Sequence, residues 1–213
     1  MTSTRRFADR TEAGELLGEA LEERDIDVDL VLAIPRGGLP LGRAVADAVG
    51  APLDIVVAKK IGAPGNPEFA VGAVASDGSV WRNEDARHRY DEEYFQRERE
   101  RIAEEAEQKA ERYRGDRPAP DLAGKTVAVV DDGVATGSTA KACLQMLRDG
   151  DAARIVLAVP VGPPETVREL ESMADEVVCL ETPSRFIGVG GFYENFSQVS
   201  DEEAMAYLEP PDR

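Results

Sequence analysis

Two rhythms of apolar residues alternate along the chain. Thr11 to Arg24 places Ala13, Leu16, Leu17, Ala20 and Leu21 at helical spacing, with Thr11 read as N-cap. Val28 to Ile34 is apolar except for Asp29 and reads as a buried parallel strand. The loop Pro35-Arg-Gly-Gly38 follows, then a helix over Leu41 to Val49 ended by Gly50, and a second strand over Leu53 to Ala58. Lys59 to Pro67 reads as a Gly/Pro-rich loop. Ala70 to Ala75 and Ser79 to Trp81 flank Ser76-Asp-Gly78, a hairpin signal.

The second half repeats the alternation. From Asp91 to Arg114 the chain is dominated by strong helix formers and has no Gly or Pro, which predicts a long, largely solvated helix with Tyr94, Ile102, Ala106 and Tyr113 turned inward. Gly115 to Pro120 is a linker. Strands are expected at Thr126 to Val130, Arg154 to Pro160 and Glu176 to Leu180, with helices at Ser138 to Leu147 and Pro163 to Met173. Thr182 to Ser197 is irregular. Ser200 to Leu208 closes as a helix whose Ser200 and Glu203 form a capping box. The fold class expected is α/β, a parallel sheet with helices on both faces, plus a small hood and the long charged helix. In such sheets ligands bind beyond the C-terminal strand ends, so the loops after each strand carry the chemistry.

Composition refines this picture. The 213 residues suit one domain, and 42% hydrophobic residues exclude wholesale disorder. The net charge of −17 disfavours nucleic acid and anionic membranes as partners. Five lysines (59, 60, 109, 125, 141) stand against 20 arginines, which with the acid excess suggests adaptation to high salt. Any anion site in such a chain needs strong local donors or a Mg²⁺ ion. Cys143 and Cys179 read as buried thiols of a reducing compartment, and the lone His88 as a surface residue. The polar stretch Met1 to Arg10 shows no signal peptide, and no apolar run reaches membrane-spanning length, so a cytoplasmic location is expected.

The densest chemistry follows the strand Val127 to Val130. Asp131 and Asp132 come first, then the loop Gly133 to Gly137, then Ser138 and Thr139 opening a helix. Backbone N–H groups at a helix N-terminus converge on anions. Gly137 allows close approach, and Thr136, Ser138 and Thr139 add hydroxyls. The acids would repel a phosphate, so they suit ribose hydroxyls or a Mg²⁺ ion. The Walker and dinucleotide glycine fingerprints are absent.

Asp131-Asp-Gly-Val-Ala-Thr-Gly-Ser-Thr139 resembles the 5-phosphoribosyl-1-pyrophosphate (PRPP) signature of the type I phosphoribosyltransferases. The resemblance runs along most of the chain and includes the Arg-Gly-Gly loop, Gly-Ala-Pro-Gly-Asn-Pro and Tyr-Arg-Gly-Asp-Arg-Pro. It implies one domain over residues 1–213, with a helical or flexible-loop insertion at 83–120 and a base-side hood at 182–197. It implies transfer of the phosphoribosyl group to a nitrogenous base, with pyrophosphate released and Mg²⁺ as cofactor. Asp131 and Asp132 would hold the ribose diol and, directly or through ribose or water, the metal. Val134, Ala135, Thr136, Gly137, Ser138 and Thr139 would anchor the 5-phosphate. Arg36, Gly37 and Gly38, with a cis Pro35–Arg36 peptide, would take pyrophosphate together with Lys59 or Lys60. Arg114 and Arg117 would either close over the substrate or serve the fold. Phe186 would stack on the base and the Ile187 backbone would read its edge.

Two departures disfavour a 6-oxopurine: Ala135 stands where hypoxanthine-guanine enzymes carry an Asp, and Val161-Gly162 where they carry a Lys. The usual acid near the end of the base stretch gives way to Phe192-Tyr193, with Glu194 beyond. A non-catalytic PRPP- or nucleotide-sensing module is the alternative. PRPP synthetase fits poorly because it needs two tandem domains. A homodimer is left open.

Overall fold

In the computed structural model, which describes residues 6–209 apart from the Glu68 side chain, strands and helices alternate as expected. The first five residues of the polar opening stretch lie outside that range. Five strands form a parallel sheet: β1 (Leu30–Ala33), β2 (Leu53–Ile55), β6 (Thr126–Val130), β7 (Arg154–Val161) and β8 (Glu176–Glu181), in the order β2-β1-β6-β7-β8. Successive side chains of a strand point to opposite faces, and both faces are apolar here. Val31, Ala33, Ala128, Val130 and Ala158 pack toward α1 (Arg10–Glu22) and α2 (Gly38–Val49). Leu30, Leu32, Val127, Val129 and Leu157 pack toward α4 (Ser138–Asp149) and Leu170 of α5 (Pro164–Glu171).

Three elements differ from the sequence expectation. Asp9, not Thr11, caps α1, because its carboxylate accepts from the Thr11 and Glu12 amides at 2.9 and 3.0 Å. The supposed loop Lys59 to Pro67 is mostly paired. β3 (Ala58–Ala63) runs antiparallel to β4 (Asn66–Ala75), which continues through the expected hairpin to β5 (Val80–Arg82). The turn shrinks to Pro64-Gly65, where Gly65 takes φ +75°. Register shifts beside Gly62 accommodate the glycine within the ladder, so tertiary pairing overrides local composition here.

The third difference concerns α3 (Glu92–Arg114), capped by Asp91. Phe95 rather than Tyr94 is buried, with Ile102, Ala106, Ala110 and Tyr113 continuing the stripe. Phe95 and Ile102 cover the small sheet, while Ala106, Ala110 and Tyr113 join the main core. The helix therefore bridges two cores. A short 3-10 turn, η1 (Val189–Phe192), and α6 (Asp201–Ala206) with the expected Ser200–Glu203 capping box complete the chain. Cys143 is buried and Cys179 half-buried, both as free thiols, and His88 is exposed. Among the described residues no helix is long and apolar enough to cross a membrane.

The α1–α2 contact is close enough to need glycine. A Cβ on Gly14 would lie 2.7 Å from the Leu41 Cα and 2.9 Å from the Ala44 Cβ. Gly14→Ala should therefore lower stability by about 1–3 kcal/mol in urea denaturation, despite the better helix propensity of alanine.

Candidate functional site

The sheet order reverses between β1 and β6, since the chain leaves β1 in one direction for β2 and in the other for β6. The loops that follow these two strands are therefore neighbours, at the place where parallel sheets bind ligands. They touch through glycine. A Cβ on Gly38 would sit 2.6 Å from the Val130 carbonyl oxygen, and one on Gly37 would sit 2.0 Å from Asp132 Oδ2.

The β6 loop encloses a cavity of about 170 Å³ lined by Lys60, Asp131 and the run Gly133 to Ala140. Gly133 and Gly137 adopt φ +149° and +70°, which side chains resist. The loop is held from below: the Val134 amide donates to Val161 O at 2.9 Å, and the Thr166 hydroxyl donates to Ala135 O at 2.8 Å. The Thr136 and Ser138 hydroxyls are 3.1 Å apart. The first-turn amides of α4 have no acceptor within the helix and face this loop. A larger concavity of about 460 Å³ lies on the α1–α2 flank, but acids line much of it, among them Glu15, Glu19 and Asp47.

The two acids behave differently. Asp131 faces the cavity, and its Oδ1 accepts from the Asp132 amide at 2.8 Å. Burial, reinforced by the Asp132 charge, holds its carboxyl well above the usual carboxylate range. Asp132 turns instead to Arg10, whose Nε and Nη2 lie 2.9 and 2.8 Å from Oδ2, with side chains only 11% and 16% exposed. Burial raises the Asp132 pKa while Arg10 opposes that rise. Arg10 also donates to Ser197 O at 2.7 Å and stacks on Phe196 at 3.9 Å. The Tyr193 hydroxyl donates to Asp132 O at 2.7 Å. Sequence reasoning missed both Arg10 and Tyr193. One signal was available: Arg10 is the first residue of α1, where a cation opposes the helix dipole and so needs a reason beyond the helix.

On the β1 side the Pro35–Arg36 peptide is cis, as the resemblance implied. The Gly38 amide donates to Ile34 O at 3.0 Å, so it begins α2 and is not directed at a ligand. Arg36 Nη1 lies 3.8 Å from Asp201. The adjacent lysines part company, as strand neighbours must. Lys60 lines the β6-loop cavity, while Lys59 pairs with Glu105 of α3. Lys109 of α3 donates to Pro35 O at 3.1 Å, a contact the view of α3 as a solvated helix did not foresee. Arg114 binds Asp54 at 3.1 Å and Ile55 O at 2.7 Å, and Arg117 donates to the Tyr113 and Arg114 carbonyls. Both arginines thus anchor the end of α3 in the fold.

On the hood side Phe186 stacks on Phe192, with centroids 5.5 Å apart and planes 21° from parallel. Ile187 is 82% exposed. A Cβ on Gly162 would meet a Val134 methyl at 2.6 Å, so a lysine has no room at that position without displacing Val134. Among the described residues no group of three or more His, Cys, Asp or Glu side chains could hold a metal by itself.

Comparison with known proteins agrees with this geometry. The phosphoribosyl transferase domain model matches residues 10–196. A Mycobacterium tuberculosis protein, named only provisionally as a phosphoribosyl transferase, is 42% identical over 206 residues, covering 95% of this chain and 46% of its own length. The chain thus spans about half of that curated relative. The crystal structure of TT1426 from Thermus thermophilus superposes with a TM-score of 0.84 at 43% identity, over 95% of this chain and 97% of that one. The purine phosphoribosyltransferase of Pyrococcus horikoshii shares the fold at 18% identity, with a TM-score of 0.50 over 90% of this chain and 92% of that one. The chain belongs to the phosphoribosyl transferase domain family.

Proposed function

We propose that the protein transfers the 5-phosphoribosyl group of PRPP to a nitrogenous base. The observation that carries this reading is the meeting, at one sheet edge, of a phosphate-sized loop cavity, a half-buried carboxyl and a cationic loop. Lys60, the hydroxyls of Thr136, Ser138 and Thr139, and the backbone from Val134 to Gly137 hold the 5-phosphate. Asp131 and Asp132 accept from the ribose hydroxyls, with Arg10 orienting Asp132 and opposing the burial that raises its pKa. Arg36, the Gly37 backbone and Lys59 receive the pyrophosphate. The base nitrogen attacks C1 with its lone pair, the bond from C1 to the pyrophosphate oxygen breaks toward that oxygen, and the nitrogen loses its proton. Catalysis comes from positioning and charge stabilisation.

The donor set fits a Mg²⁺ ion that arrives with the substrate. Asp131 is a half-buried carboxyl held toward its protonated form, which a neighbouring cation would relieve. Asp132, committed to Arg10, would act through water or ribose. When bound, the ion would neutralise charge on the leaving pyrophosphate, its remaining ligands coming from phosphate oxygens and water. Phe186 offers a stacking face to the base, the Ile187 backbone lies beside it, and the lack of room at Gly162 argues against a 6-oxopurine.

A second reading, a PRPP- or nucleotide-sensing module without turnover, is favoured by the base side. There Ile187 stands exposed and Phe186 lies against Phe192. Incubation with PRPP, Mg²⁺ and a panel of purines and pyrimidines separates the two. Pyrophosphate release with at least one base is expected, whereas tight PRPP binding with no release for any base would support the sensor.

Two further outcomes are expected. Asp131→Asn combined with Asp132→Asn should abolish PRPP binding in calorimetry while circular dichroism remains native, and unchanged affinity would overturn the assignment of these acids. Lys60→Ala should weaken ribose 5-phosphate binding by about tenfold, the scale of one charge-assisted hydrogen bond, whereas Lys59→Ala should leave it unchanged.

A further inference from the structure

The face of α3 turned toward the Pro35–Arg36 peptide carries Glu105, Lys109, Arg112 and Tyr113, which fall on one side of a helix by spacing. Lys109 is half-buried, with its ammonium 3.1 Å from Pro35 O and 5.7 Å from the Tyr113 ring centroid. An ammonium has three donors, and the Pro35 carbonyl takes one. Asp201 is shared by Arg36 at 3.8 Å, Arg112 at 2.9 Å and the Tyr113 hydroxyl at 2.6 Å. Glu105 is shared by Lys59 and Arg101. Around this peptide four cations, Arg36, Lys59, Lys109 and Arg112, therefore meet two carboxylates, with Asp131 beyond them, while Arg101 is also held by Glu98 at 2.7 Å. That local excess of positive charge stands out in a chain of net charge −17.

Docking of the helix does not by itself call for a lysine here. Burial opposes the Lys109 charge, and although Asp201 and Asp131 favour it, the nearby Arg36 and Lys59 oppose it further, so its pKa lies below the ordinary lysine value. The helix is already fixed by Ile102, Ala106, Ala110 and the Arg114–Asp54 pair. Placing three cations together becomes favourable when a multiply charged anion joins them, since each then gains a charge-assisted hydrogen bond.

We infer that Lys109 is a pyrophosphate-binding residue, supplied by α3, which closes with Arg36 and Lys59 around the leaving-group half of PRPP. Asp201 and Glu105 hold Arg36 and Lys59 until the pyrophosphate oxygens replace them. This assignment rests on the function proposed above and extends it to a residue outside the strand-end loops.

Calorimetry with two probes, inorganic pyrophosphate and ribose 5-phosphate, both in magnesium-containing buffer, tests the assignment. Lys109→Met should weaken pyrophosphate binding by about tenfold or more and leave ribose 5-phosphate affinity unchanged, while Lys109→Arg should restore most of the loss. Unchanged pyrophosphate affinity in Lys109→Met overturns the inference, as does an equal loss for both probes or a wild-type protein that binds ribose 5-phosphate but not pyrophosphate. If Lys109→Met fails to fold, Lys109→Arg decides: the inference requires that it bind pyrophosphate within a few-fold of wild type. Wild-type protein that binds neither probe overturns the proposed function itself.

Discussion

The site depends on how closely the β1 and β6 loops approach. Gly38 lies against the Val130 carbonyl, at a distance that no side chain tolerates, and Gly37 lies against the Asp132 carboxylate, which a side chain there would displace. This contact brings the cationic loop of β1 to the acid pair and cavity-lining loop of β6. It follows from the strand order, because β1 pairs directly with β6 although the two strands lie far apart in the sequence. The right-handed crossovers of a parallel sheet place both loops at the same edge.

Charge then shapes what that edge can hold. A protein of net charge −17 opposes anions in general, so an anion site must carry its own positive field. Three of the five lysines are at this edge: Lys60 at the loop cavity, and Lys59 and Lys109 near the Pro35 loop. Internal carboxylates, Glu105 and Asp201, meet part of that charge. Arg10 performs the complementary task, offsetting the burial of Asp132 while binding the hood at Ser197 and Phe196. Asp132 and the Ser197–Phe196 segment are thereby tied to one side chain, and the Tyr193 hydroxyl adds a second tie.

Much of this was legible in the residues. The strand Thr126 to Val130, the α/β alternation, the Ser200–Glu203 capping box and the loop Asp131 to Thr139 are local patterns, and the structure reproduces them. Lys59 to Pro67 misled because glycine and proline report local preference, whereas β4 supplies a pairing partner that outweighs it. α3 misled in another way. Its abundance of charge is real and Ile102, Ala106 and Tyr113 do turn inward, yet Phe95 is buried in place of Tyr94 and Ala110 extends a stripe that hydropathy underweights.

Sequence alone determined the family resemblance, the sheet type and the Asp131–Thr139 loop between strand and helix, because each is written in residues close together along the chain. Tertiary structure decided the rest. It separated Lys59 from Lys60, since strand neighbours face opposite ways. It divided the acid pair, leaving Asp131 at the cavity and giving Asp132 to Arg10. It also brought Arg10 and Lys109 to loops far from them in sequence. Such pairings arise from packing between distant segments, and no local spacing encodes them.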